Sequence, residues 1–340
     1  MALTLYVDGA RWRDHLRVVA GDQPGIVPVA KGNGYGFGLA RLATQADWLG
    51  VDTMAVGAYH ELGSLFEGSV LVLTPWRPFE KAVFGDHVVH TVGRLEDLRS
   101  LAGRDDMPRI VLERATSMRR HGLTAHDLRR AAEELDGVAL DGIALHLPLR
   151  SPGSAAEMQR LMTDIVAAEL PTKRVYVSHL TSALLARLAS SYPEFELRPR
   201  VGTELWLGDR GALRVRSTVL DSHQVERGDA FGYHGRTAPR AGTILVVSGG
   251  TAHGIGLEAP SSGSSWRDRA ARIARGGLDA AGFVRSPYLI DGKHRLFAEP
   301  PHMQSSMLFL PRGVRVPEIG EEVDVRVRMT ATTFDETIVS

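Results

Sequence analysis

The sequence contains no cysteine. Disulfides, thiolate metal sites and a cysteine nucleophile are therefore excluded. It has no stretch near the ~20 apolar residues that a membrane helix needs. Net charge of one sign is missing as well: Lys+Arg and Asp+Glu are both 40, so the formal net charge is +0. A surface that tracks phosphates is not expected, and nucleic acid is not expected as a partner. The opening MALTLYVDGARWRD has no basic segment followed by a long apolar run, so no signal peptide is expected. The expectation is a soluble cytoplasmic protein without a membrane partner.

Lysine is the scarcest of the common charges. It occurs only at positions 31, 81, 173 and 293, and every other fixed cation is arginine. Arginine does not deprotonate at working pH and cannot form an imine as lysine does. A lysine placed directly after an apolar strand is then a candidate for lysine-specific chemistry. Lys31 has that placement, whereas the other three sit in polar or turn-like contexts.

Residues 26–210 alternate short apolar runs with amphipathic stretches. The runs include IVPVA at 26–30, TMAVGA at 53–58, VLVLT at 70–74, RIVLE at 109–113, GIALHL at 142–147 and RVYVSHL at 174–180. Helix-like segments at 36–49, 123–135, 153–169 and 181–191 lie between them. Val- and Ile-rich runs alternating with helices indicate buried parallel strands. Eight such units predict an α/β fold with a (β/α)8 TIM-type barrel over about residues 10–210, a doubly wound open sheet being the alternative. From 211 to 340 apolar and polar residues alternate between Gly, Pro and Asp turns, which predicts a mainly antiparallel β domain. The strand-like LTLYVD within residues 1–9 could pair with it. Residues 266–281 read as an inserted amphipathic helix or covering loop, and SSGSS at 261–265 as a loop tip.

In a barrel the catalytic face is the C-terminal end of the strands. Lys31 follows the first strand, Arg120 the fifth, His146 ends the sixth, Ser182 follows the seventh, and Arg200, Gly202 and Thr203 lie at the eighth. The segment KGNGYGFG (31–38) sets a lysine ahead of four alternate glycines, which allow close backbone approach to a ligand. Plainer alternatives stand beside each residue: an ordinary Gly-rich loop at 32–38, a core role for Tyr35, a packed strand-end His146, a helix N-cap at Ser182, and a simple turn at RVGT.

IVPVAKGNGYGFG resembles the cofactor-lysine signature of the alanine racemase family, the fold-type III enzymes dependent on pyridoxal 5'-phosphate (PLP). ERATSMRRHGL (113–123), LRPRVGT (197–203), RGDAFGYHGRTAPR (227–240) and LIDGKHRLFAEPPHMQSSMLFLP (289–311) are similar to further family segments. The resemblance implies a Schiff base between Lys31 and PLP. It implies phosphate contacts from Tyr35 and Ser182 and from the backbone of Gly202 and Thr203. It further implies His146 against the pyridine ring, Arg200 on the pyridine nitrogen, and Arg120 and Met303 toward the substrate carboxylate. Lys31 and Tyr233 would be the two bases of an amino-acid racemase, with alanine the default substrate and no metal. The β domain of this family faces the partner's barrel mouth, which implies a homodimer with shared sites. His179, His234 and His253 receive no role.

Four departures from the family pattern bear on the substrate. Phe37 replaces a histidine. Glu113 stands where the family carries a lysine that can be carbamylated, and its carboxylate could orient Arg120 instead. Thr251 replaces an entrance tyrosine. The chain ends at MTATTFDETIVS without the family's final segment. Two other readings fit the same residues: another fold-type III activity, such as a decarboxylase or lyase, and a PLP-binding homologue without turnover.

Overall fold

A computed structural model describes residues 2–63, 66–149, 153–257 and 284–340. The chain divides into two compact units, Arg13–Gly208 on one side and Met1–Trp12 with Asp209–Ser340 on the other. The expected inserted helix at 266–281 and the loop tip at 261–265 lie outside the described residues.

After strand β1 (Leu3–Val7) and helix α1 (Gly9–Asp22), the chain enters an eight-stranded parallel sheet. Its strands are β2 (Val27–Pro28), β3 (Thr53–Val56), β4 (Ser69–Val72), β5 (Val88–Val92), β6 (Arg109–Arg114), β7 (Ala139–His146), β8 (Arg174–Ser178) and β9 (Glu196–Val201). The spatial order is β2-β9-β8-β7-β6-β5-β4-β3. A bridge from Val29 to Ala55 and a 2.8 Å bond from Ala30 N–H to the Ala55 carbonyl join β2 to β3, so the sheet curls into a barrel. Val27, Val29, Ala55, Leu71, Val89, Val111, Ala144 and Tyr176 form a continuous buried cluster drawn from seven of the eight strands, β2 to β8. That is the packed interior expected of a barrel of this size.

The strands need apolar faces on both sides because helices cover them from outside. The helices are α2 (Leu39–Trp48), α3 (Leu95–Ala102), α4 (Ala125–Ala131), α5 (Ser154–Val166), α6 (Ser182–Ser191) and the short α7 (Thr203–Leu207). Residues 73–87, after β4, are not helical. Pro75 and Pro78 in that stretch remove backbone donors and exclude a helix interior.

One end of the barrel is closed by charge. Asp141 accepts hydrogen bonds from Tyr176 Oη at 2.5 Å, Arg109 at 2.7 Å and Arg174 at 3.3 Å. Arg109 and Arg174 begin their strands, so this network lies at the N-terminal end, away from the mouth. Burial pushes the Asp141 carboxyl up, and the bonds from Tyr176 and Arg109 more than offset it, leaving it below the usual range.

The second unit contains β10 (Leu213–Val225), β11 (Ala230–Phe231), β12 (Arg236–Thr237), β13 (Gly242–Ser248), β14 (Arg285–Ile290), β15 (Lys293–Phe297), β16 (Ser305–Pro311), β17 (Glu322–Val325) and β18 (Glu336–Val339). Its main sheet runs β13-β16-β15-β14-β17-β10-β1-β18, and β13 also pairs with β10. All of these pairings are antiparallel except β1 with β18. Val225, Ala238, Ile244 and Ala298, with Phe231, Met307 and Phe309 against them, hold the β11–β12 hairpin to this sheet.

Strand β2 is only two residues long, yet it sets the position of Lys31. Trp206 of α7, fully buried, donates from Nε1 to the Val29 carbonyl at 2.8 Å and substitutes for the missing length of ladder. Trp206→Phe keeps most of the volume and strands that carbonyl. It should lower stability by about 1–2 kcal/mol. Chemical denaturation followed by far-ultraviolet circular dichroism measures this as a fall in the transition midpoint.

Candidate active site

The mouth of the barrel is built from strand ends. Lys31 follows β2 and opens a loop in which Gly32, Gly34, Gly36 and Gly38 all have positive φ. Gly34 shows why glycine is required: at φ +60°, a Cβ there would approach the Leu39 nitrogen to 2.7 Å. Tyr35 also has a left-handed backbone, at φ +55°. Such a conformation costs a non-glycine residue of order 1 kcal/mol and survives only where the surroundings enforce it. Here the ring is buried and its hydroxyl is held by the Thr203 side chain. Any side chain at Gly202 would run into the Tyr35 hydroxyl. The first and last strands of the barrel therefore meet at Tyr35, Gly202 and Thr203. Burial first, then the nearby Glu61 carboxylate, push the Tyr35 phenol up to about 12 against the hydrogen bond with Thr203, so it remains a donor.

Arg200 lies in β9 and is 6 % exposed. Its Nε donates to Ser178 Oγ and its Nη2 to the Leu145 carbonyl, both at 3.0 Å. Burial lowers its pKa to about 10, with Glu113 opposing and Arg120 adding to the fall. It therefore remains a cation at neutral pH. His146 ends β7 and meets His179 edge to face, with ring centroids 4.9 Å apart. Burial first, then the charges of Arg200 and Arg120, drive His146 down to about 3, so the ring is neutral.

Arg120 sits in the loop after β6. That loop is pinned at its base by Leu123 N–H to the Glu113 carbonyl at 2.7 Å and Ala115 N–H to the Leu123 carbonyl at 2.9 Å. Ser117 is held through its N–H and its hydroxyl by the two oxygens of Glu157, at 2.6 and 2.7 Å. Thr116 Oγ1 donates to the His146 carbonyl at 2.6 Å. Arg120 itself is exposed and reaches the site through its field. Glu113 is buried, and its Oε2 has no hydrogen-bond partner among the described residues. Burial pushes its carboxyl up; Arg200 is the leading opposing charge and Arg120 the second.

Ser182 is the first residue of α6 and is exposed. The cap of that helix is Thr181, whose hydroxyl accepts from Leu184 N–H at 3.2 Å. The N-cap alternative for Ser182 therefore falls, and its hydroxyl is left for other contacts.

Two residues that sequence reasoning passed over belong here. Glu61 accepts from Gly32 N–H at 2.7 Å, Gly57 N–H at 2.6 Å and Ala58 N–H at 3.2 Å. It clamps the loop that begins at Lys31 to the end of β3. No local motif announces this, because its partner lies 29 residues away. His179 carries φ +63° and bonds through Nδ1 to the Leu147 carbonyl at 2.6 Å, which fixes the face it turns to His146.

Tyr233 and Met303 belong to the other unit. Tyr233 lies in the turn between β11 and β12 and is 85 % exposed. Met303 is also exposed. Its loop is tied down by Ala252 N–H to the Met303 carbonyl at 2.9 Å and Thr251 N–H to the His302 carbonyl at 2.8 Å. Tyr233, His234, Thr251, His302, Met303 and Gln304 border an open cavity of about 700 Å³. Among the described residues no group of acidic, histidine or cysteine side chains could hold a metal ion.

The architecture, a (β/α)8 barrel followed by an antiparallel β domain with a lysine at the barrel mouth, is that of the fold-type III PLP enzymes. The family model for the alanine racemase N-terminal domain matches residues 7–207, and the chain belongs to that family. An alanine racemase of Salinispora tropica is 29 % identical over 274 residues, covering 72 % of this chain and 73 % of that one. The crystal structure of Bartonella henselae alanine racemase, with covalently bound pyridoxal phosphate, covers 100 % of both chains at TM-score 0.72 and 18 % identity. A histidine racemase of Leuconostoc mesenteroides superposes with TM-score 0.68 at 17 % identity, covering 100 % of this chain and 98 % of that one.

The donor set fits PLP. A lysine amine would meet the aldehyde. A protonated phenol and the backbone N–H groups of the strand-to-helix turn at Gly202 and Thr203 would meet the phosphate. A cation that keeps its proton would meet the ring nitrogen, and a neutral imidazole the ring face.

Partial burial lowers the Lys31 pKa, and Arg120 is the next cause; Glu61 opposes and Arg200 adds. Removing a neighbouring cation removes repulsion of the ammonium form, so Arg120→Met should raise the Lys31 pKa toward that of an ordinary lysine. Carbon-13 NMR of reductively methylated, cofactor-free protein reads this directly, since only four lysine resonances need resolving. An unchanged Lys31 titration would show that Arg120 does not act on it.

Proposed function

We propose that this chain is a PLP-dependent amino-acid racemase in which Lys31 and Tyr233 serve opposite faces of the substrate α-carbon. The observation that carries this reading is the convergence of Lys31, Tyr35, His146, Arg200, Gly202 and Thr203 on one end of the barrel, with Tyr35 locked against Gly202. Lys31 is the only lysine in that setting, and its lowered pKa favours the neutral amine that both imine formation and base catalysis require.

Racemisation moves a proton off one face of Cα and onto the other. When bound, the cofactor supplies an electron sink for the pair left by the departing proton. The Lys31 amine takes and returns the proton on its own face. The Tyr233 hydroxyl takes and returns it on the other. Arg200 would hold the ring nitrogen without giving up its proton, which would weaken the sink and restrain side reactions. The phenol of Tyr35, the hydroxyl of Ser182 and the backbone N–H groups of Gly202 and Thr203 would bind the phosphate. Arg120 and the Met303 N–H receive the substrate carboxylate.

Tyr233 is exposed within its own unit, which supports a homodimer in which each site takes Tyr233 and Met303 from the partner. Two bases distinguish this reading from a decarboxylase, which needs no second base at Cα. Alanine is the default substrate. Thr251 in place of a tyrosine leaves room for larger or more polar side chains. The similarity to a histidine racemase is in keeping with that room.

Chiral analysis of products from a panel of L-amino acids tests the activity: one or more should return the D enantiomer, and none doing so would refute it. Tyr233→Phe keeps the ring and removes only the acid–base oxygen. Net racemisation should fall ~10²–10⁴-fold. Exchange of the α-proton with deuterated solvent should persist for the enantiomer served by Lys31, by resemblance the D form. Racemisation by this variant at an unaltered rate would remove Tyr233 as the second base.

A further inference from the structure

Tyr233 has few supports of its own. Its hydroxyl carries the proposed chemistry, yet the residue is 85 % exposed and stands in a short turn. Its ring packs on His302 with centroids 4.6 Å apart and planes inclined at 55°. His302 bonds through Nε2 to Glu299 Oε1 at 2.6 Å. The same oxygen accepts the backbone N–H of Tyr233 at 3.3 Å. One carboxylate oxygen thus holds Tyr233 twice, once through its backbone and once through the ring it leans on.

The carboxylate is placed for this purpose. The Glu299 side chain is only 1 % exposed, so water does not compete for Oε1. With Oε1 as the acceptor, Nε2 of His302 is the donor in this pair and the ring orientation is fixed. Gly232, at φ +72°, lies directly over the Glu299 carboxylate, and any side chain there would collide with it. Pro300 and Pro301 restrict the backbone between the two partners. His302 N–H bonds to the Ser305 carbonyl at 2.9 Å and closes the loop. Arg236 Nη1 donates to the Ala298 carbonyl at 3.0 Å, tying the hairpin that bears Tyr233 to the strand end that bears Glu299.

We propose that the Glu299–His302 pair is a positioning device for Tyr233, holding its phenol at one height and angle over the cavity where it is to meet the substrate. This rests on the reading of Tyr233 as the second base. The device acts on one of the two proton transfers and leaves the Lys31 transfer alone. That asymmetry separates positioning from a structural role, which would damage both.

The test uses the purified holoenzyme and both enantiomers of the amino acid that the panel identifies, with α-proton exchange measured in deuterated solvent. Glu299→Gln removes the charge at constant shape. His302→Phe keeps a ring against Tyr233 and removes the N–H; it lies on the rim, so the variant folds even if the buried Glu299 change does not. In each, exchange on the Tyr233 face should fall by up to about 10²-fold, the scale expected for a displaced reacting group. Exchange on the Lys31 face and KM should be unchanged. Equal loss on both faces, or no loss on either, overturns the proposal. Tyr233→Phe run beside them separates the two failures. If it leaves both faces intact, the reading of Tyr233 is wrong. If it silences one face while the pair variants leave that face intact, only the positioning role is wrong.

Discussion

Arg200 is stripped of nearly all water yet keeps its proton, and much of the barrel mouth is arranged around that fact. A buried guanidinium is costly unless its donors are met. Ser178 and the Leu145 carbonyl meet two of them, the first from the adjacent strand β8 and the second from β7 beyond it. Glu113 supplies the compensating charge. The remaining field falls on its neighbours: it helps to keep His146 neutral and to lower the Lys31 pKa. Burial is the larger cause at both groups, and this desolvated cation adds to it on the first and sixth barrel strands.

The second constraint is mechanical. A two-residue strand is a weak platform for a reactive lysine. The structure compensates with Trp206 bonded to the Val29 carbonyl, Glu61 clamped to Gly32 N–H, and Tyr35 wedged against Gly202. These three contacts come from α7, from the end of β3 and from the loop after β9. They can coexist only in a closed barrel, where the first strand lies beside both the second and the eighth. Closure and site geometry are thus one problem, and the strained backbone at Tyr35 is sustained by it.

The residues legible in the sequence were those with a local signal. Lys31 stood out because cations elsewhere are almost all arginine and because an apolar run precedes it. Arg200 and His146 were found from their register at strand ends, which the parallel-strand pattern supplies. The barrel and the antiparallel region followed from periodicity, because burial on two faces and burial on one leave different patterns. Glu61 and His179 were not legible: Glu61 acts on a loop brought near only by closure, and His179 turns its ring to the end of the adjacent strand through a left-handed backbone that no local pattern announces. Glu299 was hidden for a different reason. A carboxylate three residues before a histidine is a common spacing, and only the hairpin lying over it, with Gly232 in contact, gives the pair a purpose. Thr181 shows the limit of single-residue reading, since the cap of α6 fell one position before Ser182.

The central claim is that this barrel holds its cofactor through one lysine, chosen by position and not by abundance. Borohydride reduction of the holoenzyme, followed by proteolysis and mass spectrometry, tests it most directly. The account predicts a phosphopyridoxyl group on the peptide carrying Lys31 and on no other. The same mass addition on Lys81, Lys173 or Lys293, or none at all after incubation with PLP, would contradict it.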